Sequence, residues 1–380
     1  MTARAVSRNV ASAAEVAARV DAIRMSADAP RQLAAMLAEQ SPIFAGLGTT
    51  EAERLRGYML ASFETVGLPA EAVPYVLEEL ETGRNPYTVA AAARALRGAV
   101  DIPAESPALL VGAIARLRDA DDHVSFESFV PAPASPSGTT VLVELARTLT
   151  NLGSRGAAAL EDLVALVRRA SESFSPAVRA ELAKAIDALA RPDLGPSVGC
   201  CREHPAAAPP TTVSSAAGDD LTDLDLENQD GARLTFFDAF SGRPTALAFF
   251  YTRCMNPEKC SLTVTRLARL ARLIDREALD ANVAGITYDP AFDRPARLRA
   301  YGVARSMEFS PRCSLLRTLG PFDPVREAFD LGVGFGPNTV NRHRLELIVL
   351  DASLGIAQRF ERRLWHEETV LSAMRVAASV

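Results

Sequence analysis

Three side chains in the C-terminal half carry donor atoms suited to soft-metal or thiol chemistry. Cys254 and Cys260 follow directly on the apolar run Thr245-Ala-Leu-Ala-Phe-Phe-Tyr251. His343 stands 83 residues beyond Cys260, just ahead of a second apolar run. Two thiolates and one imidazole form a soft trigonal donor set, which copper(I) prefers. The same two thiols can instead act as a redox pair that cycles through a disulfide.

Either chemistry requires a particular local fold. Residues six apart on one continuous helix lie roughly 240° apart around its axis, at about 100° per residue, and could not share an ion. Cys254 must therefore precede a helix whose first turn holds Cys260. Asn256-Pro257 supports this as an N-cap followed by proline at the first helical position. Leu262, Val264, Leu267, Leu270 and Leu273 continue at helical spacing. A thiol beside a helix N-terminus sees the positive end of the macrodipole, which lowers its pKa. Arg253 and Lys259 act in the same direction, and Glu258 opposes them. His343 must be neutral to ligate, and an ordinary imidazole near pKa ~6.5 is mostly so at pH 7. Met255, between the cysteines, offers a thioether.

Around these residues the chain alternates between strand and helix. Leu221–Leu226 and Arg233–Phe237 read as short strands about a turn at Asp230-Gly231. Thr245–Tyr251 reads as a buried central strand. Asn282–Thr287 is the next strand, and a helix follows over Ala296–Tyr301. Leu345–Leu350 and Ile356–Phe360 form a hairpin about Asp351–Gly355, and Trp365–Ala378 closes as a helix. This order is an α/β, thioredoxin-like layout spanning 221–380.

Four stretches in this segment, in order, carry a family resemblance: "GRPTALAFFYTRC", the second cysteine at the helix start, "GITYDPAFDRPARLRAYG" and "HRLELIVLDASLG". The segment resembles the Sco/SenC family of thioredoxin-like copper chaperones. The resemblance implies that Cys254, Cys260 and His343 bind copper(I), and that the two cysteines are redox-active. It also implies a protein partner, either a metalloprotein or a thiol substrate. Two features depart from the family pattern. Five residues separate the cysteines where the family usually has three, and Ser261 follows Cys260 where the family has proline. The family is usually exported and membrane-tethered, whereas this sequence shows no signal peptide or transmembrane anchor and is expected, as written, to be cytoplasmic.

Residues 1–195 follow a different grammar. Alanine and leucine dominate, and apolar positions recur at three and four residues. Helices are expected over Pro74–Leu80, Tyr87–Arg97, from a Ser106 cap, over Thr140–Leu152 and Gly156–Ala170, and from Ser175-Pro176 to Ala190. The helix–turn–helix cadence suggests a HEAT-like all-α domain, whose expected work is to dock a protein partner. Residues 196–220, rich in proline and alanine, read as a linker.

At 380 residues the chain is long enough for two domains. A net charge of −6 argues against nucleic-acid binding. No apolar run approaches the ~20 residues of a membrane span. Several other residues invite blander readings. Asp119–His123 reads as a solvated loop and Val130–Gly138 as a Pro-rich excursion. Cys200, Cys201 and His204 sit in the linker, Cys313 is expected to be a small buried or loop residue, and His366 lies at the last helix. Asp289 and Asp293 are expected to cap the helix that follows, with support to the site as the sharper alternative. Three functions remain: a copper-handling module joined to a docking domain, a metal-independent thiol–disulfide oxidoreductase in which Cys254 attacks and Cys260 resolves, and a scaffold carrying a silent redoxin domain.

Overall fold

The computed structural model describes residues 11–129, 138–192 and 221–379. The linker cysteines Cys200 and Cys201, His204, and nearly all of the Pro-rich excursion lie outside them. The described residues divide into two compact units. One takes those within Met1–Gly199 together with Gly334–Arg342, and the other those within Cys200–Val333 together with His343–Val380.

The first unit is helical: α1 (Ala13–Arg24), α2 (Ala29–Met36), α3 (Thr49–Val66), α4 (Val73–Thr82), α5 (Pro86–Arg97), α6 (Ser106–Leu117), α7 (Val141–Leu152), α8 (Leu160–Ala170) and α9 (Pro176–Leu189). The short strands β1 (His123–Val124) and β2 (Thr139–Thr140) pair antiparallel before α7. The helix starts follow the side-chain chemistry. Asn85, Thr140 and Ser175 each accept a backbone N–H of the first turn, and Pro86 and Pro176 open their helices. Ser106 lies inside α6, and Glu105 takes the cap position. Asp121 accepts the Leu142 N–H, which gives the acidic 119–122 loop a structural use.

Odd-numbered helices stack α1–α3–α5–α7–α9, while α4, α6 and α8 form a second row packed against them. Each apolar face is thus buried by its neighbours in the series, as in repeat proteins. Nothing in this packing distinguishes HEAT pairs from other helical pairs.

The second unit is thioredoxin-like. Its strands are β3 (Asp225–Asn228), β4 (Arg233–Thr235), β5 (Thr245–Phe250), β6 (Asn282–Thr287), β7 (Cys313–Thr318), β10 (Glu346–Leu350) and β11 (Ile356–Glu361). Its helices are α10 (Phe236–Phe240), α11 (Leu262–Arg276), α12 (Pro295–Val303), α13 (Asp323–Ala328) and α14 (Glu367–Ala377). A further pair of strands, β8 (Val333–Phe335) and β9 (Val340–His343), forms a separate two-stranded sheet. The seven-stranded sheet has the order β11-β10-β5-β6-β7-β3-β4. The central pairs β5–β6 and β6–β7 are parallel, and the outer pairs are antiparallel. Every residue of β5 and β6 is buried, as a central parallel strand covered on both faces requires.

No strand is expected around Cys313 from the sequence; β7 there pairs with both β6 and β3 and extends the sheet, and Cys313 is buried as expected. Helices α11 and α14 pack together and against the central strands, and Leu267 of α11 is fully buried. Leu267→Ala is expected to destabilise this unit by about 2–5 kcal/mol, read as an earlier unfolding transition in urea with the helical unit's transition unchanged.

Candidate metal and thiol site

The site lies where β5 ends. Tyr251 closes the strand, and the chain turns through Thr252 and Arg253 to reach Cys254. Asn256 then caps a single π-helical turn, Pro257–Ser261, by accepting the Glu258 N–H at 2.9 Å. Lys259 inside that turn is non-helical (φ −104°, ψ −108°), and regular helix begins only at Leu262. The proline-headed cap expected from Asn256-Pro257 is present. The five-residue spacing is accommodated by the break at Lys259, not by Cys260 sitting in a regular first turn. π-turns of this kind are frequent at functional sites.

His343 ends β9. Its Nε2 lies 3.4 Å from the Cys254 sulfur and 3.6 Å from the Cys260 sulfur. The three donor atoms all lie within 4.8 Å of one another, and among the described residues this is the one such group of three. The ring orientation suits ligation. Nδ1 is 3.2 Å from the Arg344 carbonyl oxygen, which can only accept. When the ring is neutral, its proton therefore sits on Nδ1, and Nε2 faces the sulfurs with a lone pair. Tyr251 meets the imidazole edge-on, and Tyr288 packs at its other side with ring centroids 5.6 Å apart.

Several neighbours hold these groups in place. Lys259, at the helical break, donates from Nζ to the His343 carbonyl oxygen at 3.0 Å, so the loop carrying the cysteines grips the histidine backbone directly. Arg253 forms an ion pair with Asp289 and lies over the Phe292 ring. Asp293, fully buried, accepts from the Thr252 backbone N–H at 3.0 Å and from the hydroxyls of Thr252 and Thr287. The capping role expected for Asp289 and Asp293 is not what the structure shows. The N-cap of α12 is Arg294, with no side-chain cap bond. Instead the two aspartates fasten the two residues that precede Cys254. Burial raises the Asp293 carboxyl, and its three donors offset part of that cost.

Electrostatics separate the two thiols. The hydrogen bond from the Cys260 thiol pulls Cys254 well below the usual thiol range. Burial opposes that shift, and the His343 ring, when protonated, adds to it through its charge and a hydrogen bond. Cys260 is pushed well up, first by burial and then by its bond to Cys254 and the charge there. The two titrate as one interacting pair, in which Cys254 is the easier to ionise. The lowered direction expected at the helix start holds for Cys254, though its main cause is the second thiol rather than the helix dipole or Arg253, and it fails for Cys260, which burial pushes up. The remaining candidates stand apart. Cys313 is a buried thiol in β7, pushed up to about 12 by burial. His366 is exposed at the cap of α14. Met255 is 93% exposed, which leaves its thioether in solvent.

A thioredoxin-like sheet here carries a dithiol just after β5 and an imidazole nitrogen close to both sulfurs, a group that could hold a metal ion. The SCO1/SenC family model matches residues 216–315, and the C-terminal part carries a SCO1/SenC domain. The matched stretch contains both cysteines and ends before His343, so the histidine is placed by the geometry. No curated protein matches the chain in sequence. Solved structures similar to it include a SCO1/SenC family lipoprotein from Bacillus anthracis, 20% identical over 46% of this chain and 99% of that one, with a TM-score of 0.39. Arabidopsis thaliana ScoI, solved with copper bound, is 18% identical over 40% and 96% of the two chains, with a TM-score of 0.34. Yeast Sco1, also solved with copper bound, is 23% identical over 41% and 92%, with a TM-score of 0.31. Among the described residues no helix is long and apolar enough to cross a membrane.

Because the Cys254 pKa is lowered, its thiolate persists as pH falls below the ordinary thiol range. Alkylation of Cys254 by iodoacetamide is expected to stay fast into mildly acidic solution, while Cys260 labels slowly. Cys260→Ala removes the donor and should move the Cys254 labelling midpoint upward. An unchanged midpoint would show that Cys260 is not the cause of the shift.

Proposed function

We propose that the second unit binds one copper(I) ion through Cys254, Cys260 and His343, and that it passes the ion to, or maintains thiols in, a protein partner docked by the helical unit. The observation that carries this reading is the convergence of two sulfurs and one correctly oriented imidazole nitrogen within 4.8 Å. Donor type and number favour copper(I). Structural zinc sites ordinarily use four protein ligands, whereas two thiolates and one imidazole are a soft set of three. The ion supplies a thiophilic centre that neutralises the paired thiolates. The chain's own residues do the rest. Cys254, the more readily ionised thiol, and Cys260, which would release its proton to solvent, would supply the two sulfurs, and the Nδ1 contact with the Arg344 carbonyl keeps Nε2 turned inward. Cys254 is half-buried beside the exposed Met255, so it is the sulfur that a partner can reach.

One observation favours a second reading. A depressed Cys254 thiol backed by a buried Cys260 is also the arrangement of a dithiol reductant. In that reading Cys254 attacks a partner disulfide to form a mixed disulfide. Cys260 then attacks the Cys254 sulfur and releases the partner's second thiolate. The two readings separate at His343. Reduced full-length protein titrated with copper(I) against a competing chelator should bind one equivalent, and His343→Ala should weaken binding by about 10–100-fold. Disulfide reductase activity lost in Cys254→Ser but intact in His343→Ala, with no competitive copper binding, would select the second reading.

A further inference from the structure

One buried carboxylate takes no part in the site described above, yet its oxygens are bonded to residues that flank His343. Glu346 opens β10, a strand buried along its whole length between β11 and β5. A carboxylate there is costly unless its oxygens are bonded, and both are. Oε1 accepts from Arg344 Nε at 2.6 Å and from the Gly332 backbone N–H at 3.1 Å. Oε2 accepts from the Tyr288 hydroxyl at 3.2 Å. Tyr288, Gly332, His343, Arg344 and Glu346 all belong to the second unit.

Two arms lead from this carboxylate to the imidazole. The first runs through Arg344, whose carbonyl oxygen faces His343 Nδ1 at 3.2 Å. The Arg344 backbone N–H donates to the Gly332 carbonyl oxygen at 2.9 Å, and its Nη2 donates to that of Asp330 at 2.6 Å. Glu361 approaches the same guanidinium at 3.4 Å. A Cβ at Gly332 would sit 2.5 Å from Arg344 Cδ, so a glycine there is what lets the arginine lie across this backbone. The second arm runs through Tyr288, which is fully buried. Its ring packs against the imidazole with centroids 5.6 Å apart, and also against Phe249 and Phe322.

A buried polar network whose members are all bonded is stiff. An apolar side chain at 346 would fill the strand equally well, but it could hold neither arm. We propose that Glu346 is a positioning residue for His343, setting the imidazole through the Arg344 backbone on one arm and the Tyr288 ring on the other. The imidazole then meets the two sulfurs with the nitrogen that faces them at 3.4 and 3.6 Å. The inference deepens the copper reading and rests on it, while the orientation of the ring can be measured without the metal.

Full-length Glu346→Leu and Glu346→Gln separate geometry from charge. Both remove the negative charge, but only glutamine keeps a carbonyl oxygen for Arg344 and Gly332 and an amide that the Tyr288 oxygen can accept from. Both are checked for wild-type circular dichroism. Measurements are made at about pH 8, where an ordinary imidazole is neutral and the Glu346 carboxyl, which burial raises to about 7, is ionised. In the copper-free protein, the imidazole ¹⁵N resonances of His343 are assigned by their loss in His343→Ala. They should report the Nδ1–H tautomer in wild type and Glu346→Gln, and tautomeric averaging in Glu346→Leu. Copper(I) affinity by chelator competition should fall about 10-fold in Glu346→Leu, the low end for residues that orient a ligand, and glutamine should restore most of it. In a His343→Ala background Glu346→Leu should have no further effect, because it acts through that ring. Wild-type tautomer signals and affinity in folded Glu346→Leu would overturn the positioning role. Equal losses in the two variants would overturn it as an effect of charge, and a loss that persists in the His343→Ala background would overturn it as a general structural effect. Copper binding unchanged by His343→Ala alone would instead overturn the site reading, while the ¹⁵N result would still decide whether Glu346 orients the ring. Should Glu346→Leu fail to fold, Tyr288→Phe, which keeps the ring and removes one bond to the carboxylate, decides by the same signals: averaging supports the inference, and wild-type signals overturn it.

Discussion

The Nε2 of His343 meets two sulfurs at 3.4 and 3.6 Å, and the site depends on that convergence. With Nδ1 beside the Arg344 carbonyl, the neutral ring presents its Nε2 lone pair toward Cys254 and Cys260. Turn the ring over and the same three residues become two cysteines beside a hydrogen-bond donor. Much of the surrounding structure serves this arrangement. Tyr251 and Tyr288 confine the ring, and Lys259 fixes its backbone. The Asp289 and Asp293 carboxylates tie down the approach to Cys254. The two thiols are driven apart, the more accessible Cys254 toward easier ionisation and the buried Cys260 away from it.

The longer cysteine spacing follows a simple rule. A regular helix cannot bring residues six apart onto one face, so the chain breaks the helix. One residue with non-helical dihedrals, Lys259, converts what would be a first helical turn into a π-turn. The residue that makes the break also bonds the third donor's backbone. The copper and thiol-redox readings share this geometry, and they differ in whether His343 is a ligand or a bystander.

Much of this was legible from residue types. The continuous apolar run 245–251 could only be a buried strand, Asn256-Pro257 marked a cap, and leucines at helical spacing marked α11. The hairpin about Asp351–Gly355 and the terminal helix were equally plain. What escaped depends on contacts between residues far apart in sequence. β7 carries no strand signal of its own and becomes a strand only through its partners β3 and β6. Asp293 looks like a cap by position, yet Thr252, 41 residues earlier, is its partner. Lys259 suggested only a nearby positive charge, and nothing local indicates that its ammonium reaches residue 343. The assignment of residues 334–342 to the helical unit has no local signal, since it depends on carbonyls and carboxylates far away in sequence.

The central claim is that two sulfurs and one imidazole nitrogen converge on a single ion. The most direct measurement is X-ray absorption at the copper edge of the reduced, full-length protein loaded with one equivalent of copper(I). The account predicts a first shell of two sulfurs and one imidazole nitrogen, with the nitrogen lost in His343→Ala. A shell of sulfur alone in the wild-type protein, or one that His343→Ala leaves unchanged, would contradict it.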